Sequence, residues 1–503
     1  METGLGYFGD ERLRRNGELI LERMLERQEV CVRKLADERS EQAKFRRFLY
    51  NDSVTAAEMV AHRAVLTGVA ARGRHVLAIQ DTSEVNYQAQ SGRKRRLGTV
   101  GNGSDIGLFV HPVLGVDAQS GECLGLLDAQ VWRRTKGKAA NYKSLPIEEK
   151  ESYRWLHGGQ QAKAVLSEAD LVTVLDDREG DIYEKWARLP DSRTQLLTRA
   201  CRDRSLAGGG RLFATLAGFA EAHRYELDVR ARPDKKRSAR RAVLAVRFDR
   251  VRIKRPGNCS DAAAPAVIEL FAIEVRELDP PPGEKPILWR LLTTHQVETV
   301  AQALTVIGWY CQRWNVEQLF RTLKRQGLGV EQSVIEDGDA LEKLAVMALI
   351  GATITMQLVL ARTAASQDGA AAYGSPADDG ASREGPIAKD GALADTACAD
   401  PQAPTHTGLS AQSPPAPASR VFDQEQVEVL QALQTKLQGR TQKQQNPHPP
   451  HSLAWAAWTI ARLGGWTGYR SDKSHGPITM RDGLQRFGAI VNGYQLAKDV
   501  CPT

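Results

Sequence analysis

Three carboxylates stand at positions from which chemistry can be done. Asp81 ends the apolar run VLAIQD (76–81), Asp177 ends LVTVLDD (171–177), and Glu317 lies within YCQRWNVEQLFRTLK (310–324). Acids at strand ends and on the polar side of a helix, if the fold gathers them, can hold two divalent ions about 3.5–4 Å apart. Two such ions activate a water or a 3′-hydroxyl and stabilise the leaving oxygen in phosphoryl transfer. Mg²⁺ takes oxygen ligands and keeps some of its waters, so a few carboxylates suffice. Each acid taken alone reads better as a solvated turn residue, and their spacing does not make them a set.

The third segment carries more than an acid. At about 100° of rotation per residue, one continuous helix places Tyr310, Arg313, Glu317 and Lys324 within an arc of roughly 60°. Val316, Leu319 and Leu323 point the other way and are expected to be buried. The polar side therefore aligns a phenol, two cations and a carboxylate, with Trp314 beside them.

The elements that must position these groups follow from pattern. Residues 10–70 read as helices rich in Arg and Glu. After VLAIQD, the segment 110–132 forms two apolar runs about a DAQSGE turn, a hairpin. Helical sequence occupies 147–168 and precedes the strand LVTVLDD. The order is β, β-hairpin, α, β, with acids at the ends of the first and last strands. A β-rich stretch, 195–294, separates the second acid from the third and reads as an insertion. LAVMALIGATITMQLVLA (344–361) carries no charge over a length that meets the lower limit of a membrane span. With Thr353, Thr355 and Gln357 in it, a buried core helix is expected instead. Residues 366–420, rich in Ala, Gly, Ser, Pro and Asp, read as a disordered linker, and helical pattern resumes to the end.

The chain of 503 residues, 42% hydrophobic and 26% charged, allows several domains with real cores. Its net charge of +7 is modest and permits a polyanionic partner without requiring one. The charge is clustered in RKRR (93–96) and KKRSARR (235–241). One such run reads as a solvated loop; two beside a candidate acid site tilt towards DNA phosphate. The seven cysteines are odd in number and form no CxxC, so neither a disulfide framework nor a zinc site is expected. METGLGYFGDERLRRNGEL lacks an apolar signal-peptide core, and a reducing cytoplasm is the expected compartment.

YCQRWNVEQLFRTLK resembles the Y-(2)-R-(3)-E-(6)-K signature of the DDE transposases of the insertion-sequence-four family, and is similar to the branch of the bacterial transposon-five transposase. IQDTSEVNY (79–87) resembles the family's first-Asp motif and DDREGDIYE (176–184) its D-R-E-x-D motif. FGDERLRR (8–15), KFRRFLYND (44–52), GEKPILWRLLTT (283–294) and LAWAAWTIARLGGW (453–466) follow in the family's order. The resemblance implies an α/β fold (α+β mixed) with a ribonuclease-H-like catalytic core. On this division, 1–70 is a helical DNA-end-binding domain and 71–365 the catalytic domain with its insertion at about 195–294. The linker at 366–420 then leads to a helical region, 421–503, that dimerises in synapsis.

It implies that Asp81, Asp177 and Glu317 are the catalytic, metal-binding triad, holding two Mg²⁺ or Mn²⁺ ions. The D-R-E-x-D match selects Asp177 over Asp176. Tyr310, Arg313 and Lys324 are implied to hold DNA phosphates, and Trp289, with Trp314 nearby, to stack on a flipped base. A buried strand aromatic is the competing reading of Trp289. The implied activity is cut-and-paste transposition: nicking of transposon ends, hairpin formation and opening, and joining to target DNA by a homodimeric synaptic complex in the bacterial cytoplasm, at the nucleoid and away from membranes. A metal-dependent nuclease or resolvase that does not join, or an inactive end-binding regulator, are the rivals.

Overall fold

The computed structural model describes residues 4–101, 103–134, 145–233, 236–361, 415–469 and 475–500. The linker expected at 366–420 lies outside the described residues up to 414. Residues 415–420 are packed: Ala416 and Ala418 are buried, and the Leu453 amide donates to the Ala416 carbonyl at 2.6 Å.

The N-terminal helices are α1 (Glu11–Arg27), α2 (Val32–Leu35), α3 (Arg39–Leu49) and α4 (Ala56–Ala70). Asp10 caps α1 by accepting from the Arg12 amide, and Thr55 caps α4 by accepting from the Glu58 amide. Next come β1 (His75–Gln80), β2 (Ser83–Asn86), β3 (Gly98–Val100), β4 (Asp105–Asp117), β5 (Cys123–Trp132), α5 (Tyr153–Val165), β6 (Leu171–Asp176), α6 (Tyr183–Arg188) and β7 (Thr194–Arg199). The stretch after β7 forms α7 (Leu212–Gly218), β8 (His223–Val229), β9 (Arg240–Lys254), β10 (Val267–Leu278) and β11 (Leu288–Thr293). The remaining helices are α8 (Val300–Cys311), α9 (Trp314–Lys324), α10 (Gly338–Val359), α11 (Gln424–Leu437), α12 (Leu453–Leu463) and α13 (Pro477–Val500).

Strand pairing defines the core. β5 runs antiparallel to β4, and β4 antiparallel to β1; β1 is parallel to β6, and β6 parallel to β7. Three antiparallel strands followed by two parallel ones give the ribonuclease-H-like mixed sheet expected from the sequence. β11 then pairs antiparallel with β7, and β10, β9 and β8 follow in turn, so the 195–294 segment continues the same sheet past its parallel edge.

Side-chain alternation along the strands sorts residues to two faces. Val76 and Ala78 of β1, with Val172 and Val174 of β6, pack with α5, α6 and α7. Leu77 and Ile79, with Leu175, pack on the other face with α8, α9, α10 and the terminal helices. The β1–β6 register pairs Ile79 with Leu175. Carried forward, Gln80 meets Asp176 on the α5 face and Asp81 meets Asp177 on the α9 face. Period two thus decides which acids confront the helix that carries Glu317.

Val316, Leu319 and Leu323 are fully buried, as expected, and each contributes about 1.5–3 kcal/mol to holding α9 on the sheet. The segment 300–325 is two helices rather than the single helix expected. Arg313 donates to the Tyr310 carbonyl, Asn315 to Gln312 and Val316 to Arg313, all i→i−3 bonds that tighten the turn between α8 and α9. The common arc calculated for one continuous helix therefore does not carry across 312–313. α10 contains most of the uncharged 344–361 run and is a core helix: 89% of its apolar window is buried.

Candidate active site

Asp81 and Asp177 lie one residue beyond the ends of adjacent parallel strands. Glu317 lies in the first turn of α9. Arg313, only 7% exposed, connects them: one guanidinium nitrogen is 3.3 Å from Asp81 Oδ2 and the other is 2.7 Å from Glu317 Oε1. The Tyr310 hydroxyl donates to Asp177 Oδ1 at 3.1 Å. The fold thus gathers all three acids with Tyr310 and Arg313.

The electrostatics follow from that crowding. Burial, opposed by Arg313 and reinforced by repulsion from Asp177 and Glu317, pushes the Asp81 carboxyl up to about 7. Burial also works against the Asp177 carboxylate, but Arg313 and Arg199 outweigh it and hold its pKa below the ordinary carboxylate value. Burial acts against the charge on Arg313, yet Tyr310 and the three acids around it raise its pKa well above the usual arginine value. Among the described residues no group of three His, Cys, Asp or Glu side chains is set to hold a metal ion. Hydrogen bonds from Arg313 and Tyr310 occupy carboxylate oxygens that a metal would need. The all-oxygen donor set, and the mutual repulsion of acids sharing one cation, nevertheless suit a hard divalent ion.

Asp176 is spent elsewhere. Fully buried on the opposite face, it is paired with Lys185 and accepts from Gln80 Nε2 at 2.6 Å and Thr198 Oγ1 at 3.0 Å. Asp181 and Gly180 of the DREGD segment have structural roles as well. Asp181 is buried against Arg204 and accepts from the Cys201 and Arg202 amides. Gly180 is required where it stands, because a Cβ there would lie 2.4 Å from Asp176 Cβ.

The other implied DNA contacts are placed less directly. Lys324 sits 3.7 Å from Glu331. Burial lowers its pKa. Trp314 carries the Arg321 guanidinium over its ring at 5.0 Å, and its buried indole N–H meets no hydrogen-bond acceptor among the described residues. Trp289 is 3% exposed, with its ring 6.4 Å from that of Tyr310, so in this structure it is a core aromatic and offers no open face to a base.

Parts of the two basic runs make intramolecular pairs. Lys94 Nζ donates to the Ser333 and Ile335 carbonyls at 2.5 and 2.6 Å, and Arg96 is paired with Asp337 and with Asp339. In the second run Arg240 pairs with Glu277 and Glu284, and Arg241 with Glu226. Lys94 and Arg240 are thus committed to intramolecular carbonyls and acids, whereas Arg96 and Arg241 remain largely exposed beside their partners, as do Arg93 and Arg95. Sequence reasoning missed Arg199, the last residue of β7, whose charge acts on both Asp177 and Tyr310. Its signal was an arginine ending the strand next to LVTVLDD. It also missed Gln80, His111, Arg154 and Lys185 behind the site.

Residues 119–354, a little under half of the chain, match a family model described as Transposase DDE domain. The matched span includes Asp177 and Glu317 and begins after Asp81. The match supports a DDE-type transposase. A solved structure, described as the cryo-EM structure of the piggyBac transposase synaptic complex with hairpin DNA, is 8% identical, with a TM-score of 0.33. The similarity covers 69% of this chain and 64% of that one, so the chain spans less than two thirds of that structure's length.

Proposed function

We propose that the chain is a cut-and-paste DNA transposase that nicks transposon ends, forms and opens a hairpin, and joins the 3′ ends to target DNA. The observation that carries this reading is the convergence of three acids on one pair of side chains: Asp81 and Glu317 on Arg313, and Asp177, beside Asp81 at the ends of two parallel strands, on Tyr310. The match to a DDE domain over 119–354 supports it independently. The Tyr310, Arg313, Glu317 and Lys324 signature resembles that of the insertion-sequence-four family and its transposon-five branch.

Asp81, Asp177 and Glu317 are the residues that would hold two Mg²⁺ or Mn²⁺ ions. Bound there, the ions would supply an activated water or 3′-hydroxyl and charge stabilisation at the leaving oxygen. The protein's own contribution is positional. Arg313 neutralises Asp81 and Glu317 while the site awaits DNA, and Tyr310 orients Asp177. Both can then turn their donors to backbone phosphate, the strongest class of partner for a guanidinium. The partners are double-stranded DNA and a second copy of the chain in a synaptic dimer, acting in the bacterial cytoplasm.

The test uses the DNA segments that bracket the coding sequence as substrate. With Mg²⁺, the protein is expected to nick those ends and join them to a target plasmid. Cutting without joining would identify a nuclease or resolvase. End binding with no cutting in any divalent ion would identify a regulator.

A further inference from the structure

A continuous chain of hydrogen bonds lies on the sheet face opposite the acids. Asp176, paired with Lys185, accepts from Gln80 Nε2 at 2.6 Å. Gln80 Nε2 also donates to the Trp155 carbonyl at 3.0 Å, so both of its N–H groups are used. Its Oε1 can only accept, and His111 Nε2 lies 3.1 Å from it. His111 therefore carries its proton on Nε2. Burial, with Arg154, His157 and Lys185 nearby, keeps the ring neutral. Its Nδ1 must then accept, and the donor is the Thr82 hydroxyl at 2.9 Å. Thr82 Oγ1 in turn accepts from Arg154 Nε at 2.9 Å, and Arg154 Nη2 reaches Glu179 Oε2 at 2.5 Å. Each donor and acceptor role is fixed by the one before it.

The chain touches the residues on both sides of Asp81, namely Gln80 and Thr82. It also touches Asp176 before Asp177 and Glu179 after it. α5 approaches closely enough to take part because Gly158 has no side chain: a Cβ there would lie 2.6 Å from Gln80 Oε1. We propose that this network, centred on His111, is the positioning device of the acid site, fixing the backbone at Asp81 and Asp177 from behind. The front face is then left free to exchange Arg313 for another cation. His111, Thr82 and Arg154 are positioning residues: they act through their neighbours and touch no reacting atom. The proposal rests on the phosphoryl-transfer reading above.

The experiment measures Mn²⁺ binding to the full-length, DNA-free protein by electron paramagnetic resonance, together with thermal melting. The proteins are the parent, His111→Phe, Thr82→Val, Arg154→Met and Asp81→Ala. Loss of hydrogen-bonded support behind metal ligands weakens metal affinity about 10–100-fold, and that is the loss expected for each network variant. A merely structural role would lower the melting temperature and leave Mn²⁺ affinity of the folded protein at the parental value. That result for Thr82→Val and Arg154→Met overturns the proposal. Should His111→Phe not fold, those two variants, which leave His111 and Gln80 in place, decide. Asp81→Ala separates the two levels. If it retains parental Mn²⁺ binding and nicking, the phosphoryl-transfer site itself is misplaced. If it loses both while the network variants bind Mn²⁺ as the parent does, only the positioning role fails.

Discussion

Lys185 and Asp176 form an ion pair in which neither side chain is exposed to solvent. One residue further on, Asp177 faces the other side of the sheet and accepts from Tyr310. Two adjacent aspartates are thus sent to opposite faces of the sheet by the alternation of one strand, one into a buried ion pair and the other to the candidate site.

Substitution should separate them. Asp176→Ala leaves an uncompensated buried ammonium and is expected to cost about 3–5 kcal/mol of stability. Asp177→Ala should melt near the parental temperature but lose Mg²⁺-dependent nicking, because a carboxylate ligand has no substitute in phosphoryl transfer. Melting curves and nicking time courses on both variants check this. Full cleavage by Asp177→Ala would show that the wrong aspartate has been chosen.

The basic run at 93–96 yields a second prediction. Lys94 caps two carbonyls of the 333–335 segment and lies 4.7 Å over the Tyr87 ring. Lys94→Ala should therefore cost about 1–3 kcal/mol, the scale of losing charged hydrogen bonds to buried acceptors. Its DNA affinity should keep the parental salt slope, since a phosphate contact removed would lower that slope by about one. Gel shifts at several salt concentrations, paired with melting curves, decide. A stable variant with a reduced slope would restore Lys94 to the DNA surface.

Much of the site was legible before any coordinates. The strands that end in Asp81 and Asp177 and the hairpin between them were read from pattern, but spacing did not join the two acids; the resemblance of their motifs to a transposase family did. What escaped has physical causes. The break at 312–313 depends on i→i−3 bonds that leave hydrophobic periodicity intact, so α8 and α9 read as one helix. The acids that neutralise Arg240 sit on another strand and its following loop, invisible to charge counting along the chain. The network behind the site joins residues 31 and 96 positions apart, and no local pattern marks Gln80 or His111 as buried. Trp289 carried two readings in sequence, and only packing favours one.

A pH dependence of stability follows from a second buried cluster. His75 and His295 both lie 2.8 Å from the Thr173 hydroxyl, between the sheet and Trp309. Burial pulls His75 down to about 4 and His295, beside it, to about 3. Both values are depressed relative to the unfolded chain, near 6.5. Between those values the unfolded state binds protons that the folded state refuses. The contribution is therefore complete above about pH 6.5 and is lost as pH falls towards 4. The pair should cost roughly 1–3 kcal/mol by pH 5.5. Urea unfolding at pH 7.5, 6.5 and 5.5 should show this loss in the parent and a smaller one in His75→Phe/His295→Phe. Equal pH slopes in the two proteins would remove the histidines as its source.

The last prediction concerns Trp289. At 3% exposure beside Tyr310, its truncation should act first through the core. Trp289→Ala is expected to cost about 3–5 kcal/mol of folding stability. Nicking, hairpin formation and joining should then decline together, because each needs the same folded site. Base stacking predicts a different pattern. The first nick would proceed at the parental rate, and loss of about 1–3 kcal/mol of stacking would slow hairpin formation roughly five- to 150-fold. Trp289→Phe sharpens the contrast: it keeps an aromatic ring in the core, and all steps should stay near parental rates if packing is the role. Time courses of nicked, hairpin and released products on one labelled end, with a melting curve of each variant, distinguish the two. A stable Trp289→Phe protein slowed only at the hairpin step would show that this side chain leaves the core to meet DNA.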